Sequence, residues 1–192
     1  MQQKISDSSS ANSIVLTQRK QCAICRGPLD VAIDLPRLPL TDTYCREPVQ
    51  NPLAGVDQRL LFCADCGHGQ LETQIAPRVL YGANYCFRTS ASATARRGTQ
   101  FFLSVLDEVA PGRRFSCVLD LGCNDLHLLS QLKERASLRI GIDPVWKDRE
   151  SEREDLSIVL HGGNIEEIAL SRLPEKPDLV VCRHTLEHIF DQ

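Results

Sequence analysis

Two short cysteine pairs constrain this chain more than anything else in it: CAIC at residues 22–25 and CADC at residues 63–66. Two intervening residues let both sulfurs of a pair reach one tetrahedral centre, each at about 2.3 Å. Two pairs complete a four-coordinate shell with no open position. Cys22, Cys25, Cys63 and Cys66 therefore read as a structural zinc site rather than a catalytic one. Redox dithiols are the competing reading, and the repetition of the motif weighs against them. Gly27 and Gly67, just beyond the pairs, suit the turning backbone of two zinc knuckles. His68 adjoins the second pair, but four cysteines already satisfy the metal, so it reads as a surface or packing residue. The wide gap between the pairs needs structured chain, and DVAIDLPRLPLTDTY (30–44) offers a strand followed by a Pro-rich turn. A module this small and rich in Pro has little core of its own, and bound zinc would supply the missing stability.

The chain has nine cysteines. A disulfide framework usually takes an even number and an oxidising compartment. The remaining five, Cys45, Cys86, Cys117, Cys123 and Cys182, are scattered. Cys117 and Cys182 fall in predicted strands, where a free thiol behaves as a small apolar side chain. Residues 1–20 are polar and Ser-rich, without the apolar stretch of a signal peptide, and are expected to form a disordered arm. No segment approaches the roughly 18 apolar residues of a membrane helix. The net charge of −3 and pI near 6.0 lack the basic excess of a nucleic-acid binder. A cytoplasmic protein without membrane or nucleic-acid partners is expected, and oligomeric state has no signature.

The zinc module should span 21–80, and from Tyr81 to Gln192 the pattern changes. A helical stretch carries Phe101, Phe102, Val105, Leu106 and Val109 and ends at Pro111-Gly112. Four short apolar runs follow, SCVLDLG (116–122), LRIGIDP (138–144), LSIVLHGG (156–163) and DLVVCRH (178–184). The amphipathic DLHLLSQLKERA (125–136) separates the first two. This alternation predicts an α/β fold with about four parallel strands and crossover helices, whose carboxyl edge binds ligands.

Acids mark that edge. Asp120 ends the first strand before Gly122, Asp125 opens the following helix, and Asp143 ends the second strand, where an acid can accept ribose hydroxyls. A dinucleotide loop would carry several glycines and rest a pyrophosphate on the helix N-terminus, which these carboxylates would repel. They suit a ligand with an ammonium and a sulfonium, and S-adenosylmethionine has both. Asp125 has the alternative of a plain first-turn acid. Asn164 fits either adenine recognition or helix capping. His161 reads as an exposed loop residue. HTLEHIF (184–190) puts His184 and His188 on one face of a short helix; His184 at the strand tip would face the methionine end of the ligand, and His188 packs beneath.

The ordered set CAIC, CADCGHGQLE, YGANYCFRTSAS, VLDLGCNDLHLL, IGIDP and HTLEHI resembles the S-adenosylmethionine-dependent sugar C-methyltransferases that carry an N-terminal zinc-binding domain. The resemblance runs from about residue 21 to the last. It implies a class I, Rossmann-like methyltransferase domain after the zinc domain, and methylation at carbon of a nucleotide-linked keto-deoxysugar. It further implies that Asp120, Gly122, Asn124 and Asp143 hold the cofactor and that the segment 81–92, with Tyr85, lies over it. Where that family has D-x-G-S/C-N-D-G, this chain has Leu126 in place of the last glycine, which would crowd the ligand's methionine or the strand–helix contact. Four strands also fall short of the family's sheet, so the domain is expected to be incomplete, lacking the general base and the acceptor-binding portion. DLVVC would then be an exposed apolar edge. The alternative is a non-catalytic zinc-plus-Rossmann binding or scaffold module.

Overall fold

The structure is a computed structural model that describes residues 16–39, 55–76, 80–81, 85–150, 157–169, 171 and 173–189. Cys45, most of the expected arm, the Pro-rich turn beyond residue 39 and residues 82–84 lie outside the described residues. The chain divides into two units between Leu80 and Tyr81.

In the first unit, β1 (Leu16–Gln18) pairs antiparallel with β5 (Thr73–Ile75). Leu16–Gln18, placed in the arm by the sequence reading, instead form a strand whose partner lies far along the chain. Separately, β2 (Asp30–Leu38), β3 (Val56–Phe62) and β4 (Gly69–Leu71) form an antiparallel sheet in that order. The β2 strand is irregular twice, between Val31 and Ile33 and between Leu35 and Leu38. Pro36 sits in the second break, followed by Arg37 at φ 51°. Bulges, a proline and charged neighbours are devices that keep an edge strand from recruiting another strand. Gly55 is required opposite: a side chain there would run into the Arg37 carbonyl.

Among the described residues, the buried apolar side chains of this unit are few and small: Ala23, Val56, Leu61 and Ala76 beside Cys22 and Cys63. Buried amides do part of the work. Gln58 Nε2 donates to the Thr73 carbonyl (2.6 Å), and the Thr73 amide donates to Gln58 Oε1 (3.0 Å). Gln70 Oε1 accepts from the Ala23 amide (2.8 Å), joining β4 to the first cysteine pair. For so few described apolar groups, a bound metal would supply a stabilising cross-link.

The second unit is a four-stranded parallel sheet: β6 (Phe115–Leu121), β7 (Ala136–Ile142), β8 (Ile158–His161) and β9 (Leu179–Cys182) in the order β8-β7-β6-β9. This is the order of the first four strands of a doubly wound sheet, with its reversal point between β6 and β9. Helix α1 (Ala93–Val109) starts where Ser92 Oγ accepts from the Ala95 amide (3.3 Å). Its Leu106, with Phe102 and Leu103, packs on one face of the sheet against Val118, Leu129, Leu132 and Val181. The expected stripe divides, because Phe101, Val105 and Val109 recur every fourth residue on the neighbouring, exposed face.

Helix α2 is shorter than its amphipathic sequence suggests. It covers only His127–Gln131, and Leu132 closes it with bonds to the Leu128 and Leu129 carbonyls before β7 begins. On the other sheet face, Cys117, Leu119, Ile140 and Ile142 are covered by Ile165, Ile168 and Leu173. On β9, Val180 is 54% exposed and Cys182 is exposed rather than packed. Among the described residues, no helix is long and apolar enough to cross a membrane.

Candidate functional site

The four cysteines of the first unit converge. Their sulfurs all lie within 4.8 Å of one another, with Cys22–Cys66 at 3.6 Å and Cys25–Cys63 at 3.5 Å. A tetrahedron of bonds near 2.3 Å spaces its sulfurs at about 3.8 Å, so the cage fits zinc.

Both knuckles are built alike. The Cys22 amide donates to the Gly27 carbonyl (3.0 Å) and the Arg26 amide to the Cys22 carbonyl (3.0 Å). In the second, Cys63 donates to the His68 carbonyl (2.9 Å) and Gly67 to the Cys63 carbonyl (2.9 Å). The left-handed residue is the one directly after each pair, Arg26 (φ 64°) and Gly67 (φ 75°). Gly27 therefore serves a different purpose from Gly67. Its amide reaches Cys25 Sγ (3.4 Å), and a side chain there would strike Asp65. His68 contributes backbone to the knuckle, and its imidazole is not among the clustered ligand atoms.

The electrostatics favour a cation. Backbone hydrogen bonds, that of Cys25 first, bring the Cys22 thiol down to about 6 against the opposing effect of burial. Cys66 is pushed up to about 12: the backbone hydrogen bond from His68 is outweighed by Cys25, burial, Cys22 and Cys63. Cys22 is favoured as a thiolate, whereas Cys25 and Cys66 are held towards the thiol. A divalent ion lets all four become thiolates, and the site is a structural zinc site.

The second unit gathers its polar groups at the carboxyl end of β6 and β7. The chain leaves β6 through alternating left-handed residues, Gly122 (φ 76°), Asn124 (φ 47°) and Leu126 (φ 66°). Gly122 and Cys123 donate to the Ile142 carbonyl (2.8 and 3.3 Å), pinning the loop to the tip of β7. Asp143 completes the clamp: Oδ2 accepts from the Asn124 amide (2.8 Å) and Oδ1 from the Val145 amide (2.9 Å). Buried Trp146 donates from Nε1 to the Asn124 carbonyl (2.6 Å). A side chain at Gly122 would collide with Thr185, beyond β9, so the two loops at the reversal point touch there.

Leu126 does not crowd the strand–helix contact. It takes the left-handed backbone a glycine would take and sends its side chain, 0% exposed, into the core of the sheet. The left-handed conformation costs roughly 1–2 kcal/mol, and burying a leucine returns about as much or more.

Asp120 is 5% exposed, and burial pushes its carboxyl up to about 7, with Arg183 pulling it down and Asp143 adding to the rise. Burial also raises Asp143, against the Val145 and Asn124 amides. Asp125 has two different oxygens. Oδ2 accepts from the Ser90 amide (2.8 Å), whereas Oδ1 is buried with no hydrogen-bond partner. Asn124 Oδ1 accepts from the Thr89 amide (3.1 Å), and its Nδ2 donates to the Phe87 carbonyl (3.2 Å).

Asp120, Gly122, Asn124, Asp125 and Asp143 thus share one sheet edge. The other expected residues are arranged differently. Asn164 follows β8 and is engaged with Glu167, donating from Nδ2 (3.1 Å). Tyr85 stacks edge-on against Tyr81 (5.3 Å), which in turn meets His188 (5.3 Å). His184 is exposed at φ 52° and precedes the single turn Leu186–His188, so the two histidines do not share a helix face. His161 ends β8 half-buried, with Nε2 enclosed and unpartnered, rather than lying in an exposed loop. The hydrogen bonds to residues 87–90 and the Thr185 contact had no local signature. Trp146, the only tryptophan, was visible but its partner was not.

A family model named Methyltransf_13 and described as "Putative zinc binding domain" matches residues 22–81. No curated protein matches the chain. The matched span begins at the first cysteine of the cage and encloses all four. The first unit is therefore a zinc-binding domain of a kind associated with methyltransferases.

Proposed function

We propose that the second unit is a Rossmann-like class I domain that binds S-adenosylmethionine, and that the chain belongs to a methyltransferase acting at carbon of a nucleotide-linked keto-deoxysugar. The observation that carries this reading is the acidic lining of the loop after β6. Asp120, Asp125 and Asp143 meet there, and Asp125 Oδ1 is a buried acceptor without a donor. A buried acceptor left unpaired is costly and asks for a ligand donor. The zinc domain next to it in the chain supports the same class of enzyme.

S-adenosylmethionine supplies a methyl group already activated on a sulfonium. The protein's part is to recognise and orient it. Asp143, held by two backbone amides, suits the ribose hydroxyls. Asp125 would suit the ammonium, and Asp120, when ionised, would add a negative charge that favours the sulfonium. The left-handed Gly122 lets the loop after β6 pass against Thr185 with no side chain between them. Tyr85, Asn164 and His184 are the remaining candidates for its rim. No side chain is assigned as the general base for the acceptor.

Isothermal titration of the zinc-loaded protein with S-adenosylmethionine tests the cofactor. Micromolar binding that Asp143→Ala weakens at least about tenfold, the loss of one charge-assisted contact, supports it. Silence at millimolar ligand refutes it. Methyl transfer to a panel of nucleotide-linked keto-deoxysugars then tests the acceptor class.

A further inference from the structure

Residues 85–90 cross the loop after β6 as a strap, and the contacts between them are specific. Asn124 uses both ends of its amide, accepting from Thr89 and donating to the Phe87 carbonyl. Asp125 accepts from the Ser90 amide. Arg88 folds back on its own segment, donating to the Tyr85 and Phe87 carbonyls (3.1 and 2.7 Å). Arg96, from the first turns of α1, holds the Ser90 carbonyl (2.5 Å). The strap is exposed on its outer side, since Phe87 and Ser90 are open to solvent, and its half-buried Tyr85 stacks on Tyr81 (5.3 Å). Its attachment to the loop is polar and therefore separable.

We infer that Asn124 and Asp125 are latch residues: they hold the 85–90 strap against the loop, and its release limits how fast a ligand enters and leaves. This rests on the reading of that loop as the S-adenosylmethionine site. Asp125 joins the two events. Its Oδ2 is committed to the strap and its Oδ1 is free to accept a donor from the ligand, so one carboxylate serves both. Ligand binding and strap closure are linked through it.

The test has two arms, both on the full zinc-loaded chain. Without ligand, hydrogen exchange is followed at single amides. Asp125→Ala should speed exchange at Ser90 about tenfold and Asn124→Ala should do so at Thr89, each the loss of one hydrogen bond. Amides within β6 and β7 should keep their rates, which shows that the fold is intact. Unchanged exchange at both Thr89 and Ser90 overturns the latch.

In the second arm, S-adenosylmethionine is mixed rapidly with the protein and the single Trp146 reports binding, because its indole donates to the loop. Releasing the latch with Asn124→Ala, which leaves Asp125 in place, should raise association and dissociation rates together, with Kd moving less than either. Faster dissociation at an unchanged association rate would mean that these side chains only grip the ligand, and would overturn the gating role. Asp125→Asn keeps the shape but has a single acceptor oxygen. It should abolish the gain in Ser90 protection that ligand confers on the parent protein. Should the parent protein bind no S-adenosylmethionine, the cofactor reading fails and the gating inference falls with it, while the first arm still decides whether the strap is latched.

Discussion

Asp120 is the residue whose replacement should be felt most clearly, and the sign of the effect is opposite to that of most core substitutions. Its carboxyl is buried at the end of β6 and raised from 3.8 to about 7, chiefly by loss of solvent, with Arg183 opposing and Asp143 reinforcing. A raised acid binds its proton more tightly when folded than when unfolded. Between pH 4 and pH 7 the folded state holds more protons, so stability falls as pH rises and levels off above 7. A shift of about 3 units at 1.36 kcal/mol per unit sets a ceiling of about 4 kcal/mol on the loss. Asn has nearly the same shape and no charge to bury. Asp120→Asn should therefore match the parent near pH 4.5 and exceed it by about 2–4 kcal/mol at pH 8. Urea unfolding followed by Trp146 fluorescence reads the second unit, and the parent–variant difference cancels any term from the zinc cysteines. A difference that stays constant from pH 4.5 to pH 8 would refute the reasoning.

Chelating the metal should remove amide protection from β2, β3 and β4 while β6 and β7 keep theirs, and Cys25→Ser should lower zinc content by mass spectrometry in the native state. Leu126→Gly relieves a left-handed leucine yet empties a fully buried site; a net loss of about 1–3 kcal/mol in urea unfolding is expected, and a gain would show the side chain to be dispensable. Gly122→Ala combines a positive φ with a collision against Thr185, so it should cost about 2 kcal/mol or more, partly restored by Thr185→Ala in the double variant. Because a cation favours ionised Asp120, S-adenosylmethionine should bind about tenfold more tightly at pH 8 than at pH 6, a dependence that Asp120→Asn should flatten.

The features legible in the sequence were those with a local cause. A Cys-x-x-Cys pair predicts its own knuckle, and an apolar run ending on an acid predicts a strand tip, as at Asp120 and Asp143. What stayed hidden depended on residues remote in the chain. Leu126 looked like an intruder because motif comparison sees a missing glycine; only the packed core shows where its side chain goes. Gly27 and Gly67 looked equivalent by position, whereas the left-handed turn falls on Arg26 in one knuckle and Gly67 in the other. Asn124 and Asp125 carried polar groups suited to a ligand, and nothing nearby announced that most of them are engaged by residues 87–90.

The placement of β9 also bears on the route by which the second unit assembles. Strands β6, β7 and β8 are neighbours in sequence as well as in the sheet, but β9 must return to β6 from some sixty residues away, as the Asp178–Ser116 bond spans 62 positions. The Asp178 carboxylate meets it at the start, accepting from the Ser116 and Cys117 amides (3.2 and 3.0 Å), and those bonds hold its pKa below the usual value. Such a distant pairing is the slow one, because loop closure must precede any gain from contact. Asp178 thus acts as a register pin for the pairing of β9 with β6. The reversal point of the sheet, with Gly122 on one side and Thr185 on the other, comes into being only when that strand arrives.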